Sequence, residues 1–495
     1  MKIKRQISNK TLLRISTQFG FLLLFFALFL FGLEGVKFFF YTDPLILVTN
    51  LISTGEITLL FLLAIIPLTL TFLFGRFFCG WVCPFGAINQ FFSWLFRKSN
   101  KSKTNLKRNL LSVKYFILPG VVAASLLGVQ IWNWLEPYSL LTRSMVTLFP
   151  AGLILNNTIL PILDSGRELT GEKLMLFPYF ISGLFFFLLF MNFYMKRFFC
   201  NVLCPLGALY GLISRFSLIN LSTAPSCNDC LQCGRNCTYY GNPSDEYLKS
   251  ECLLCYNCEN NCPSGSVETS FDKKIKKEVK PLDIGRRKAI GSIFAGIATA
   301  AIIKSEAKGK GKKRSDFIRP PGALEEENFL ERCVRCGQCV QSCPTGFIQS
   351  ANLENGIENL WTPVLSAATG YCQFECNKCT PVCPTGALQK LTLQEKKTYK
   401  LGTAIINKNL CFTYAEGFTC TVCYDKCPLK DKAIKQRETD VWNYMGKEMR
   451  VKQIYIDTDY CNGCGLCEYV CPRTDEAAIV VTSESEFRRT SNLLL

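Results

Sequence analysis

Residues 252–263 read CLLCYNCENNCP: three cysteines two residues apart, a fourth after three more, then proline. Thiols at that spacing let one tight turn wrap a corner of an iron–sulfur cube while the fourth crosses to a second cube. Upstream, Cys227, Cys230, Cys233 and Cys237 repeat the spacing, with Thr238 where the proline is expected. Under the two-cluster rule Cys227, Cys230, Cys233 and Cys262 hold one [4Fe–4S] cluster, and Cys252, Cys255, Cys258 and Cys237 hold the other. Four more quartets follow: Cys333, Cys336, Cys339, Cys343; Cys372, Cys376, Cys379, Cys383; Cys411, Cys420, Cys423, Cys427; and Cys461, Cys464, Cys467, Cys471. Each ends before a proline, and the middle two have stretched first spacings of three and eight residues. Structural zinc usually pairs two C-x-x-C knuckles, and three thiols in one turn make poor disulfide geometry. The 24 cysteines therefore point to six [4Fe–4S] clusters in small α+β bacterial-type ferredoxin domains.

The whole chain has 495 residues, 28 cysteines and no histidine. Without imidazole there is no His-ligated haem, no C-x-x-C-H haem attachment, no HExxH zinc site and no Ser-His-Asp triad. Hydrophobic residues make up 49%, with 39 Phe, and the mean hydropathy is +0.17, as in membrane spans joined to something more polar. The net charge of +17 comes from short basic runs beside apolar segments, which fits membrane topology signals and not a nucleic-acid face.

Four stretches upstream of the ferredoxin quartets approach the roughly 20 residues that a transmembrane helix needs: Phe19 to Phe40, Ile57 to Phe78, Tyr115 to Trp132 and Phe177 to Met195. The stretch Met145 to Leu163 is interrupted by Pro150, Asn156, Asn157 and Pro161 and reads as a surface or re-entrant element. Residues 1–14 and the loop from Arg97 to Lys114 are basic without an acid, whereas 134–176 mixes both signs. Both ends of the four-span unit are thus expected in the cytoplasm. Inside it RFFCGWVCPFGA (76–87) recurs as RFFCNVLCPLGA (197–208), which implies a parallel internal repeat and brings Cys79, Cys83, Cys200 and Cys204 together. Pro84 and Pro205 suit a first helical position, and Arg76 and Arg197 favour nearby thiolates. These four cysteines are small buried thiols on one reading, and redox thiols or a metal or cluster site on the other. Glu34, Glu56 and Glu136 lie near the outer span ends, as interface residues or as proton acceptors.

Four domains result: a four-helix transmembrane domain at 1–220, a two-cluster ferredoxin at 221–271, a basic linker at 272–320 and a four-cluster polyferredoxin at 321–495. The linker carries Arg286-Arg287-Lys288 before fifteen uncharged residues, 289–303. That is either a twin-arginine export signal for a folded, cluster-loaded domain, a fifth hydrophobic segment, or a basic linker that leaves everything in the cytoplasm.

Residues 1–270 resemble the NapH type of membrane ferredoxin, with paired CxxxCP motifs as also in NosR-like proteins and cytochrome-oxidase assembly ferredoxins. Residues 280–495 resemble the NapG/MauM type, so the chain looks like a fusion of the two. Ala289 and Ile290 stand where the usual phenylalanine and leucine follow the twin arginines. The resemblance implies a multi-pass protein of the bacterial inner membrane, its first ferredoxin cytoplasmic and its C-terminal domain periplasmic. It also implies electron transfer from the quinol pool to a partner reductase, as in nitrate reduction. NapG-type proteins suggest a nested pairing in which Cys333, Cys336 and Cys339 share a cluster with Cys471, with neighbour pairing as the alternative. The chain reads as an electron-transfer component of an oxidoreductase system and not as a stand-alone enzyme. Its rivals are an assembly factor whose CxxxCP thiols bind or reduce a metal such as copper, and a redox-sensing membrane regulator.

Overall fold

The computed structural model describes residues 9–31, 33–56, 59–96, 110–148, 176–228, 230–237, 239, 241, 247–270, 285–309, 318–353, 356–442, 448–473 and 476–489. The chain divides into two compact units, 1–142 with 182–302, and 143–181 with 303–495. The expectation for Met145 to Leu163 lies largely outside the described residues, as do Thr238 and the basic stretch 271–284.

The first unit is helical. Helix α1 (Asn9–Phe31) is followed by α2 (Leu33–Tyr41) and α3 (Pro44–Thr54). A 3-10 turn, Leu59–Ala64, leads into α4 (Ile65–Phe74), and α5 (Pro84–Leu95), α6 (Val113–Ser125), α7 (Pro137–Leu148), α8 (Leu176–Phe190) and α9 (Pro205–Ser214) follow, with α7 beyond Thr142 and α8 before Ser182 counted in the second unit. The expected run of four full spans is not what these helices make. The stretch from Phe19 to Phe40 is divided, and α2 and α3 are bent by 82° at the Thr42-Asp43 corner. Pro44 at the first helical position and the Asp43 carboxylate, which accepts from the Leu45 and Ile46 amides, start α3 afresh in a new direction. The helices Leu59–Phe74, Val113–Ser125 and Phe180–Phe193 are apolar but short, whereas Asn9–Leu30 and Arg286–Ser305 are long and apolar enough to cross a membrane.

The segment sized in the sequence like a signal core is therefore one continuous 24-residue helix, α10 (Arg286–Gly309). It packs backbone to backbone on α6. A Cβ on Gly296 would lie 2.8 Å from the Gly120 Cα, and one on Gly120 would lie 2.9 Å from the Ser292 carbonyl, closer than side chains allow. Small residues at such a crossing are how helices approach without a hydrophobic driving force. Lys288 sits over the Phe116 ring near the start of α6, so the two helices run in the same direction.

The first unit also contains a ferredoxin module closed by strands β1 (Asn220–Thr223) and β2 (Val267–Ser270), antiparallel with Asn220 opposite Ser270. The second unit repeats that closure. Ala323, ahead of its first quartet, bridges Leu388, just after its second. Within that loop β3 (Ile348–Ser350) pairs with β4 (Pro363–Leu365). β5 (Thr403–Ile406), ahead of the third quartet, pairs with β8 (Ile479–Thr482), after the fourth. Between those two quartets β6 (Ile434–Trp442) and β7 (Glu448–Ile456) form a nine-pair antiparallel ladder.

Candidate iron–sulfur sites

Local backbone shapes the quartets. Leu254 (φ +49°) and Tyr256 (φ +57°) flank Cys255, Arg335 (φ +54°) and Gly337 (φ +76°) flank Cys336, and Gly463 (φ +72°) and Gly465 (φ +78°) flank Cys464. A left-handed non-glycine residue costs on the order of 1–3 kcal/mol and persists only where its surroundings over-determine it. Here two such turns around a middle cysteine double the chain back, and Cys252, Cys255, Cys258 and Cys237 line one cavity with Tyr239 and Glu251. Cys233 and Cys262 pack into the adjoining small core with Leu221 and Val267.

In the second unit the nested pairing is not the one the fold makes. Cys383 lies beside Cys333, Cys336 and Cys339. Cys343 lines a cavity with Cys372, Cys376 and Cys379. Cys427 and Cys461 neighbour Cys464, while Cys420 and Cys411 neighbour Cys423 on the core that Cys471 also packs against. Neighbouring quartets therefore exchange their fourth cysteines, with the Ala323–Leu388 bridge flanking the first pair and β5 pairing with β8 around the second. The two pairs meet where the Cys372 amide donates to the Cys464 carbonyl at 2.8 Å. Burial pushes the Cys252, Cys423 and Cys464 thiols up to about 12, so iron must displace their protons when it binds.

These sets gather around cavities without converging on one point. Among the described residues no three His, Cys, Asp or Glu side chains are placed to hold a single ion. Four thiols around one cavity fit a cube whose corners are ligated one by one, and a bound [4Fe–4S] cluster would supply one-electron transfer. The protein's part is to tune it. Lys396, only 4% exposed, donates to the Phe374 carbonyl at 3.0 Å and to the Cys372 sulfur. A charge-assisted hydrogen bond contributes about 1.5 kcal/mol or more, equivalent to roughly 60 mV for one electron. Lys396→Met should lower one potential in this unit by about that amount in a redox titration followed by electron paramagnetic resonance. An unchanged set of potentials would rule the lysine out as a tuning group.

The CxxxCP motifs come together as the repeat predicts. Cys79, Cys83, Cys200 and Cys204 line a single cavity with Arg76, Pro137 and Gly207. Cys83 and Cys204 cap α5 and α9, their sulfurs accepting from the Gly86 amide at 3.4 Å and the Gly207 amide at 3.2 Å, with Pro84 and Pro205 at the first helical positions. Arg76 and Arg197 are fully buried. The ferredoxin module sits directly against this cavity. Trp81 Nε1 donates to the Leu254 carbonyl at 3.4 Å, and a Cβ on Gly80 would lie 2.9 Å from the Leu253 carbonyl. Tyr239, from the wall of the Cys252 cavity, accepts from Arg197 and hydrogen-bonds Cys200.

Two groups here escape a reading of the sequence. Glu251 is buried beneath Arg76, Lys114 and Tyr115, all three donating to its carboxylate. Glu136 is not an interface residue: it is fully buried, caps α7 through the Tyr138 and Ser139 amides, and hydrogen-bonds Asp43. The available signal was Asp43-Pro44 and Glu136-Pro137, an acid before proline at the start of a helix in each repeat. Glu34 is exposed and Glu56 half-buried.

Paired cysteine quartets in modules closed by short strands define a multi-cluster ferredoxin. Models described as 4Fe-4S dicluster domains match residues 332–388 and 418–474, and one described as a 4Fe-4S binding domain matches 57–102 and 176–222. The chain belongs to the NapG/MauM family of ferredoxin-type proteins. It is 34% identical to the methylamine utilization ferredoxin-type protein MauM of Methylorubrum extorquens, over 40% of this chain and 86% of that one. It is 33% identical to the ferredoxin-type protein NapG of Escherichia coli, over 40% of this chain and 85% of that one. No solved structure matches the chain.

Proposed function

We propose that the chain is a membrane-anchored iron–sulfur conduit that takes electrons from quinol and passes them through six ferredoxin-type [4Fe–4S] clusters to a partner reductase. The observation that carries this reading is the succession of paired cysteine sites, with the two pairs of the second unit joined at Cys372 and Cys464. The ferredoxin-type relatives and the 4Fe-4S family models support the same reading. Membrane anchoring is supported by α1 and α10 and by apolar side chains such as Leu23, Phe72, Phe186 and Phe187, each roughly half exposed on the first unit.

The direction of α10 supports export of the residues C-terminal to it. The start of α6 meets the ferredoxin module through Lys114 and Tyr115, as the start of α1 does through Lys10 and Glu259, 2.9 Å apart. A bilayer crossing by α10 from the cytoplasmic side exports the residues beyond 305. The basic residues after Lys304 oppose the positive-inside trend, and α10's packing outweighs them in this reading.

The test has two arms on the full-length protein in its membrane. Reporter fusions near residues 280 and 495 should report opposite sides, and a cytoplasmic signal at both would overturn export and with it a periplasmic partner. Added quinol should bleach the iron–sulfur absorbance. Failure to reduce any cluster would remove the quinol donor and favour a redox sensor.

A further inference from the structure

We propose that Cys79, Cys83, Cys200 and Cys204 together hold a seventh iron–sulfur cluster of the [4Fe–4S] class, with two ligands from each repeat. The inference rests on the electron-transfer reading above but concerns a different set of residues. The matched 4Fe-4S binding model covers both repeats, yet each matched segment carries only two of these cysteines, too few for a cube. The fold supplies the missing half, because the parallel repeat puts all four thiols on one cavity wall.

The cavity is built for an anion. Cys83 and Cys204 sit at the N-termini of helices of 12 and 10 residues, where the amides and the helix dipole favour thiolates. Arg76 lines the cavity, fully buried, and its Nε and Nη2 have no hydrogen-bond partner; Arg197 Nε beside it is likewise buried and unpaired. Leaving guanidinium nitrogens dry and unpaired is costly. A thiolate-ligated cluster brings the negative charge that this lining lacks.

A single copper or zinc ion is the rival occupant. It needs three or four ligands around one point, with sulfurs about 2.3 Å away for zinc. The grouping of these four thiols around one cavity matches that of the ferredoxin quartets. The position also suits a redox centre. Tyr239 joins Cys200 to the wall of the cavity formed by Cys237, Cys252, Cys255 and Cys258, so the two sites are neighbours. An electron moving between them oxidises one cluster by one unit and reduces the other by one, with no bond made or broken.

The experiment is an iron and acid-labile sulfide count on the anaerobically purified full chain, loaded with ferrous iron and sulfide, beside a Cys79→Ser/Cys200→Ser variant. The wild type should carry four irons and four sulfides beyond its six ferredoxin-type clusters. The variant should lose that increment and one paramagnetic signal while the others persist. A wild-type count that fits six clusters overturns the proposal, as does copper bound at these thiols with the iron count unchanged. Should the double variant fail to fold, the wild-type count decides alone. Tyr239→Phe then adds a second readout: it removes the hydroxyl at Cys200 without touching a thiol, and a seventh centre there should shift its potential. Failure of quinol to reduce the protein would sink the proposed donor and leave the iron count untouched, so the two failures are distinguishable.

Discussion

Glu251→Ala is expected to loosen the ferredoxin module from the helices of the first unit at a cost of about 3–5 kcal/mol, the usual penalty for breaking a buried ion pair. Glu251 is fully buried, with Arg76 Nη1 at 2.8 Å, Lys114 Nζ at 2.5 Å and the Tyr115 hydroxyl at 2.6 Å. Arg76 and Lys114 are themselves wholly shielded from solvent. Removing the carboxylate leaves two dry cations facing each other, which is worse than losing the attraction alone. Glu251→Gln keeps the shape and not the charge, so it should fall between wild type and alanine. Hydrogen exchange is the measurement: amides in 247–262 should exchange faster in both variants while those of the second unit stay as they were. Equal protection in all three proteins would mean that the Trp81–Leu254 hydrogen bond and the Gly80–Leu253 packing hold the module without the ion cluster.

Gly296→Leu is expected to unseat α10 altogether. Even a methyl group at position 296 would meet the Gly120 backbone, which cannot rotate away as a side chain can. Overpacking of a close contact costs about 1–3 kcal/mol where neighbours relax, and here the neighbour is a helix axis. A protease site engineered between residues 272 and 284 makes the effect visible. After cleavage, the wild-type C-terminal portion should co-purify with the first unit in detergent through its packed α10, while the Gly296→Leu protein should separate. Separation of the wild-type fragments as well would show that α10 does not anchor the chain.

Much of the site could be read from spacing, because ligand spacing is a local property. The C-x2-C-x2-C turns, the crossing fourth cysteine of the first module and the convergence of the CxxxCP motifs all follow from short strings and one repeat. Pairing in the second unit was not legible, since neighbour and nested exchange use the same cysteines and differ only in long-range contacts, such as the bridge from Ala323 to Leu388. Helix extent was hidden too. The EGVK at 34–37 interrupts the apolar run of residues 19–40 without fixing where α1 ends, and the corner at Asp43 shows only in the Asp-Pro pair. Glu251 is one acid among 39 acidic residues, and its role depends on Arg76 and Lys114, more than 130 positions away. The Asp43 and Glu136 pair depends in the same way on two repeats meeting.

The seating of α10 against Gly120 also changes the kinetics of electron delivery. A carrier on a separate chain must find its donor by diffusion, and its rate scales with how much of it is present. A carrier held by a packed helix on the same chain works at a fixed effective concentration, which for short tethers reaches the millimolar range whatever the expression level. Electron delivery along one chain then follows first-order behaviour, insensitive to dilution.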